Sequence, residues 1–291
     1  MASTITTAFV EQFKANVVHL AQQSGSVFRG VFPEEPVVGK RSAVERLAST
    51  TASLKTGRNV DTEYVDPAHT RRWLSTKTFY WSALVDRYDK IRMLINPESE
   101  YAQAAAMAMA RQYDQVIIDA FDASVTTGED ATGTAATFDT SNNQIAVASP
   151  ATNLNLSKIL QAKKILDSFN VDPSIPRYFV VHPEQLEAML GIEQLTSADY
   201  NSVRALVQGD MNTYAGFTWL MSTKLDVASN VRDCYAFAAN AMRVGIGQDI
   251  VARVDELPQK HYSTQVYFSM DLGAIRVEET NIVKVLCDDT A

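Results

Sequence analysis

Asn96-Pro97-Glu98-Ser99-Glu100-Tyr101-Ala102 opens a run with no further proline and no glycine before Gly128, passing through Ala105, Ala108, Gln112, Val116 and Asp119-Ala120-Phe121-Asp122. Proline suits a first helical turn, where its missing N–H leaves nothing unpaired, and Glu98 and Glu100 suit the positive end of the helix dipole. The spacing predicts one long helix over 97–125, a rod on the order of 45 Å at about 1.5 Å per residue.

Upstream of the rod the pattern changes twice. Ile5, Phe9, Phe13, Val17 and Leu20 recur at helical spacing, so 4–23 or 6–23 reads as an amphipathic helix ended near Gly25, a detachable element. From Val27 to Val60 periodicity is lost among Pro33, Pro36, Gly39 and Gly57, a mix that packs its own core poorly and reads as an extended arm or long hairpin. Between Asp61 and Leu94, Tyr64, Val65, Trp73, Phe79, Tyr80, Trp81 and Val85 fall in short runs suited to the returning strands.

Downstream, the Thr-, Ser-, Ala-, Asn- and Gly-rich stretch 126–149 reads as a loop or mobile hairpin. Asn155 is placed to cap a helix through Leu156, Ile159, Leu160, Leu166 and Phe169, and strand 177–181 leads to a helix opened by His182-Pro183. Ser197 is placed to cap a further helix to Val207, closed by Gly209. Strands follow over 217–221, 235–238, 250–254, 262–268, 274–277 and 282–286, with turns expected at Gly245, Gly247 and Gly273. The class is α+β, with neither internal repeat nor regular βα alternation.

Composition narrows the function. With 291 residues, 46% hydrophobic, the chain is long enough to bury a real core. No apolar run approaches the roughly 18 residues of a membrane span, and the first residues lack a secretory pattern, so the reading is intracellular with no membrane partner. Cys234 and Cys287 read as packed free thiols. A net charge of -8 argues against a protein built to grip phosphates. That charge is uneven: over 25–95, twelve basic residues face eight acidic ones, +4, which leaves -12 for the rest. A basic excursion docking on an acidic body of another copy would suit this asymmetry, as would solvated faces of no special role.

Motifs for chemistry are missing. Gly245-Ile246-Gly247 lacks the third glycine and following acid of a dinucleotide site, and the four histidines are scattered. His182-Pro183-Glu184 is explained by a helix start with an acidic first turn. No catalytic residue, cofactor or metal site is expected, and the chain is not expected to be an enzyme.

The order of elements resembles the major capsid proteins of tailed phages, the Hong Kong 97 type of shell fold. The resemblance rests on Leu84-Val85-Asp86-Arg87-Tyr88-Asp89 leading through Asn96-Pro97-Glu98 into Asp119-Ala120-Phe121-Asp122, and on Arg177-Tyr178-Phe179-Val180-Val181-His182-Pro183-Glu184-Gln185-Leu186. Ala198-Asp199-Tyr200, Val207-Gln208-Gly209 and Gly216-Phe217-Thr218-Trp219-Leu220-Met221-Ser222 continue it. It covers nearly the whole chain.

That resemblance implies an N-arm over 1–26, an extended loop over 27–79 and a peripheral domain over 80–150 with its spine helix at 97–125. An axial domain over 151–257 and C-terminal strands over 258–291 returning to the peripheral sheet complete it. The implied function is self-assembly, as pentamers and hexamers, into an icosahedral shell enclosing phage DNA without sequence-specific binding, with assembly in the host cytoplasm. Because the chain begins directly at its arm, a separate scaffolding protein is expected, together with a portal. An encapsulin-like nanocompartment shell and an α+β enzyme without recognised motif are the rival readings.

The contact candidates are Arg71, Arg72 and Trp73 on the returning strand, with Phe9 and Phe13 on the arm. Arginine forms paired hydrogen bonds to carboxylates and lies over aromatic rings, so Arg71 and Arg72 beside Trp73 suit an interface. Ordinary hairpin packing accounts for the aromatics equally well.

Overall fold

A computed structural model of the protein describes residues 25–62, 64–86, 98–147, 152–190 and 213–289. The helix expected over 4–23, with Phe9 and Phe13, and the one expected over 197–207 lie outside the described residues.

The first half holds β1 (Glu34–Pro36), β2 (Arg41–Leu47), β3 (His69–Ser75), β4 (Lys77–Val85), α1 (Glu98–Ala120), β5 (Val125–Thr126), β6 (Ala135–Ala136) and β7 (Gln144–Ile145). The second holds α2 (Leu156–Ser168), β8 (Arg177–Val181), α3 (Pro183–Leu190), β9 (Thr213–Tyr214), β10 (Phe217–Met221), β11 (Val227–Ala228), β12 (Val231–Ala238), β13 (Met242–Leu257), β14 (Ser263–Arg276) and β15 (Ile282–Asp288). Two main sheets result. One runs β1-β13-β14-β4, and the other runs β7-β15-β12-β8-β10-β9 with β11 on β12.

Local signals placed many of these elements. The Asn155 side chain accepts from the Lys158 N–H at 2.9 Å, capping α2, whose buried stripe Ile159, Ala162 and Leu166 repeats at helical spacing. Strand β8 is an apolar run buried between β10 and β12, as continuous hydrophobic strands usually are.

The core shows what local signals missed. Phe121 stacks on Tyr235 at 4.5 Å and meets Phe28 and Phe32 edge-on at 6.2 and 6.1 Å. Both of those residues are buried in the main core, so the chain after Val27 does not lack a core of its own. Asp114 fastens this segment to α1, accepting from the Ser26 hydroxyl at 2.5 Å and from the Val27 and Phe28 N–H groups at 3.1 and 3.3 Å. The projecting part of the chain starts only after Val37, which is buried against Leu74 and Ile275.

The rod is also shorter than expected, since α1 stops at Ala120 rather than at 125. A long-range contact ends it. The buried Arg276 guanidinium donates to the carbonyls of Phe121 and Ala123 at 2.9 and 3.0 Å, satisfying groups a helix end leaves unpaired, and Val125 then enters a short pairing with Ala136.

The glycines expected to mark turns lie inside strands: Gly245 and Gly247 in β13, and Gly273 in β14. Close approach explains all three, a Cβ at Gly247 standing 2.3 Å from Asp271 Oδ2. A Cβ at Gly245 would stand 2.2 Å from Leu74 Cδ2, and one at Gly273 would stand 2.2 Å from the Ser75 carbonyl oxygen. Since backbone cannot swing aside like a side chain, Gly273→Ala should destabilise the subunit by about 3 kcal/mol, the upper end of overpacking costs. A urea midpoint unchanged from wild type would refute this.

The C-terminal strands divide. β14 pairs with β4, from Thr264 opposite Val85 to Leu272 opposite Lys77. β15 instead inserts between β7 and β12, while β13, from the 151–257 stretch assigned above to the axial domain, lies beside β14 in the four-stranded sheet. Chain order does not partition the two sheets.

Candidate assembly interface

β2 and β3 pair from Arg41 opposite Ser75 to Leu47 opposite His69, and 48–68 continues beyond them. Only the base of this hairpin is anchored in apolar packing, through Val44 and Leu74 on Val37, Ile275 and Val277. Farther out, Leu54 is 87% and Tyr64 95% exposed.

Two braces fix the base. In the first, Arg46 grips Glu278 with two bonds of 2.9 Å, while Arg72 donates to the Arg276 carbonyl at 2.7 Å and to Glu279 at 2.9 Å. Glu279 also accepts from Arg276 at 3.4 Å, so one carboxylate ties hairpin and helix end together. Burial, followed by the nearby Arg46, pulls the Arg72 guanidinium below its ordinary pKa.

The second brace is the β5–β6 hairpin. Its Gly128 carbonyl accepts from the Trp73 indole at 3.0 Å, its Glu129 and Ala131 carbonyls accept from Arg71 and Arg41 at 3.3 and 3.4 Å, and its Gly128 N–H donates to the Arg71 carbonyl at 3.2 Å. A stretch expected as a loop or mobile hairpin thus supports the larger one. Between the two lies a groove of about 430 Å³ lined by Glu45, His69, Arg71, Gly128 and Glu129 among others.

This geometry separates the two arginines. Side chains alternate along a strand, so Arg71 and Trp73 share one face and Arg72 turns to the other. Arg72 is 3% exposed and both its terminal guanidinium nitrogens donate within the subunit, which corrects its reading as half of a surface pair. Arg71 is half-buried, bonded to Glu45 and 5.7 Å from the Trp73 ring centre. Its hydrogen bond holds the Glu45 carboxyl below the usual carboxylate range. Arg29, paired with Asp249 at 2.6 Å, and Arg46 also find partners inside the chain, leaving Lys40, Lys55 and Arg58 exposed along the excursion.

Sequence reasoning missed Arg46, Arg276, Glu278 and Glu279. Nothing local marks them, because their partners come from distant parts of the chain.

Elsewhere, His182 sits at the start of α3 as expected, its Nδ1 accepting from the Glu184 N–H at 3.4 Å, and burial lowers its pKa. Cys234 and Cys287 are buried free thiols. Among the described residues, no group of three or more His, Cys, Asp and Glu is placed to hold a metal, and no helix is long and apolar enough to cross a membrane.

A packed body with a braced hairpin that exposes single apolar side chains such as Leu54 and Tyr64 has the form of an assembly subunit. A family model described as phage capsid protein matches residues 5–289, and the chain belongs to that family as a major capsid protein forming the capsid shell of the virion. It is a structural protein of the capsid, not an enzyme.

Solved structures share the fold. A chain of Mycobacterium phage Che8 is 19% identical with a TM-score of 0.70, over 97% of this chain and 98% of that one. The capsid of cyanophage P-SCSP1u is 14% identical with a TM-score of 0.74, over 99% and 95%. The capsid of Ralstonia phage GP4 is 10% identical, also at 0.74, over 96% and 95%. No curated protein sequence matches the chain.

Proposed function

We propose that the subunit builds an icosahedral shell of pentamers and hexamers that encloses the phage DNA without sequence-specific binding. Assembly takes place in the host cytoplasm on a separate scaffolding protein, with a portal at one vertex. The N-arm is assigned to 1–26 and the spine helix to α1. The sheet β1-β13-β14-β4 is taken as the peripheral domain and the seven-stranded sheet as the axial one. The extended loop is narrowed from 27–79 to 38–76, because Phe28 and Phe32 belong to the core.

One observation carries this reading: the excursion leaves the body on a rigid base yet exposes Leu54, Val60, Tyr64 and Val65. Such surface is stabilised only when another molecule removes it from water. Lys55 and Arg58 beside it find acidic surface in every other copy, given the -12 outside 25–95.

Negative-stain microscopy of the purified protein should show closed shells or rings. Monomer alone by light scattering, across salt and concentration, would overturn the proposal. Arg71 and Trp73 are assigned to the contact with the neighbouring copy. Arg71→Glu should therefore leave the subunit folded by circular dichroism, with melting lowered only slightly by loss of its Glu45 pair and its bond to the Glu129 carbonyl, while blocking or misdirecting assembly. Normal particles from that variant would remove Arg71 from the interface.

A further inference from the structure

From Val251 to Leu257, β13 is paired on one side with β14, whereas β1 pairs only with Val244, Gly245 and Ile246. Register shifts between Ile246 and Gln248 and between Gln248 and Val251 separate the two stretches, so among the described residues no strand covers the outer edge of 251–257. Residues 252–256 are exposed, Val254 by 55%. Arg253 and Asp255 have no ion-pair partner among the described residues. A long open edge offers unpaired backbone groups to any passing strand, and proteins normally guard it.

The order of side chains here is self-complementary. We propose that this edge pairs antiparallel with the same edge of a second copy, about a two-fold axis through Val254. That register sets Arg253 opposite Asp255 of the second copy, twice, and Val251 opposite Leu257, twice, with Val254 against its own counterpart. The inference rests on the shell proposed above, which supplies two-fold contacts between copies.

Charge also rejects the alternatives. A two-fold normal to the sheet keeps each side chain on its own face, so opposed residues must have the same parity, and a one-residue slip is forbidden. The next permitted registers place Arg253 on Arg253 or Asp255 on Asp255, and like charges directly opposite destabilise a sheet. The charges that would repel a foreign strand therefore select one partner and one alignment.

Val254→Cys tests this in assembled particles. Directly opposed residues have Cα atoms about 4.5–5.5 Å apart, within the span of a disulfide. Diamide, which takes up the two hydrogens of a thiol pair, should convert the subunit to dimer on a denaturing gel without reductant. Cys234 and Cys287 are buried and do not compete. Arg253→Asp alone, and Asp255→Arg alone, should each give at least tenfold fewer closed particles with unchanged circular dichroism, and the double variant should recover them. Val254→Cys particles whose subunits stay monomeric after diamide, or normal particles from Arg253→Asp, would overturn the pairing and leave the shell reading standing. Wild-type protein that never assembles would strike the shell reading itself.

Discussion

Arg276→Leu is expected to lower the unfolding free energy of the subunit by about 3–5 kcal/mol, the usual cost of breaking a buried charge network on one side. Arg276 is fully buried, and its guanidinium does three things at once. It caps the Phe121 and Ala123 carbonyls, shares Glu279 with Arg72, and lies 5.2 Å from the Phe138 ring centre. Leucine would leave the buried Phe121 carbonyl unpaired, free the partly buried Ala123 carbonyl beyond the helix end, and reduce Glu279 to one partner. Arg276→Lys should recover only part of the loss, since a single ammonium cannot span the same fork of acceptors. Urea denaturation of the dissociated subunit, followed by circular dichroism, measures both. A loss under about 1 kcal/mol for the leucine variant would show that the network adds little.

Arg72→Glu should cost at least the same, about 3–5 kcal/mol, and is expected to abolish the soluble subunit where the starting stability is ordinary. The substitution buries a second carboxylate beside Glu279, now 2.9 Å from the Arg72 guanidinium, and frees the Arg276 carbonyl that Arg72 holds. The hairpin base would then depend on Arg46 and on the small apolar cluster around Leu74. Denaturation of this variant beside Arg71→Glu separates the two positions. If Arg72→Glu melts like wild type and loses only assembly, both arginines act between subunits, as their adjacency suggests.

The contrast between these neighbours shows how far the sequence reached. Alternation along β3 was available from the residues alone and places Arg71 with Trp73 and apart from Arg72. Which face meets the body was not available, because Glu279 and Arg276 reach β3 only after β14 and the turn beyond it have folded against the hairpin.

By itself the sequence determined the elements whose signals are local: the strands 177–181 and 217–221, the Asn155 cap, the start of α3 at Pro183, and a rod opening after Pro97. Caps and apolar periodicity act between residues a few positions apart, so they can be read before anything folds. The order of those elements also carried the resemblance to capsid proteins. Tertiary structure alone decided where the rod stops, that Phe28 and Phe32 are core, that Gly245 and Gly273 serve close approach rather than turns, and that β15 leaves the sheet of β14. Each depends on a group brought in from far along the chain, such as Arg276 at the end of α1 or the Ser75 carbonyl against Gly273. Such contacts follow from how two sheets and a braced hairpin pack together, and no short stretch of sequence encodes that packing.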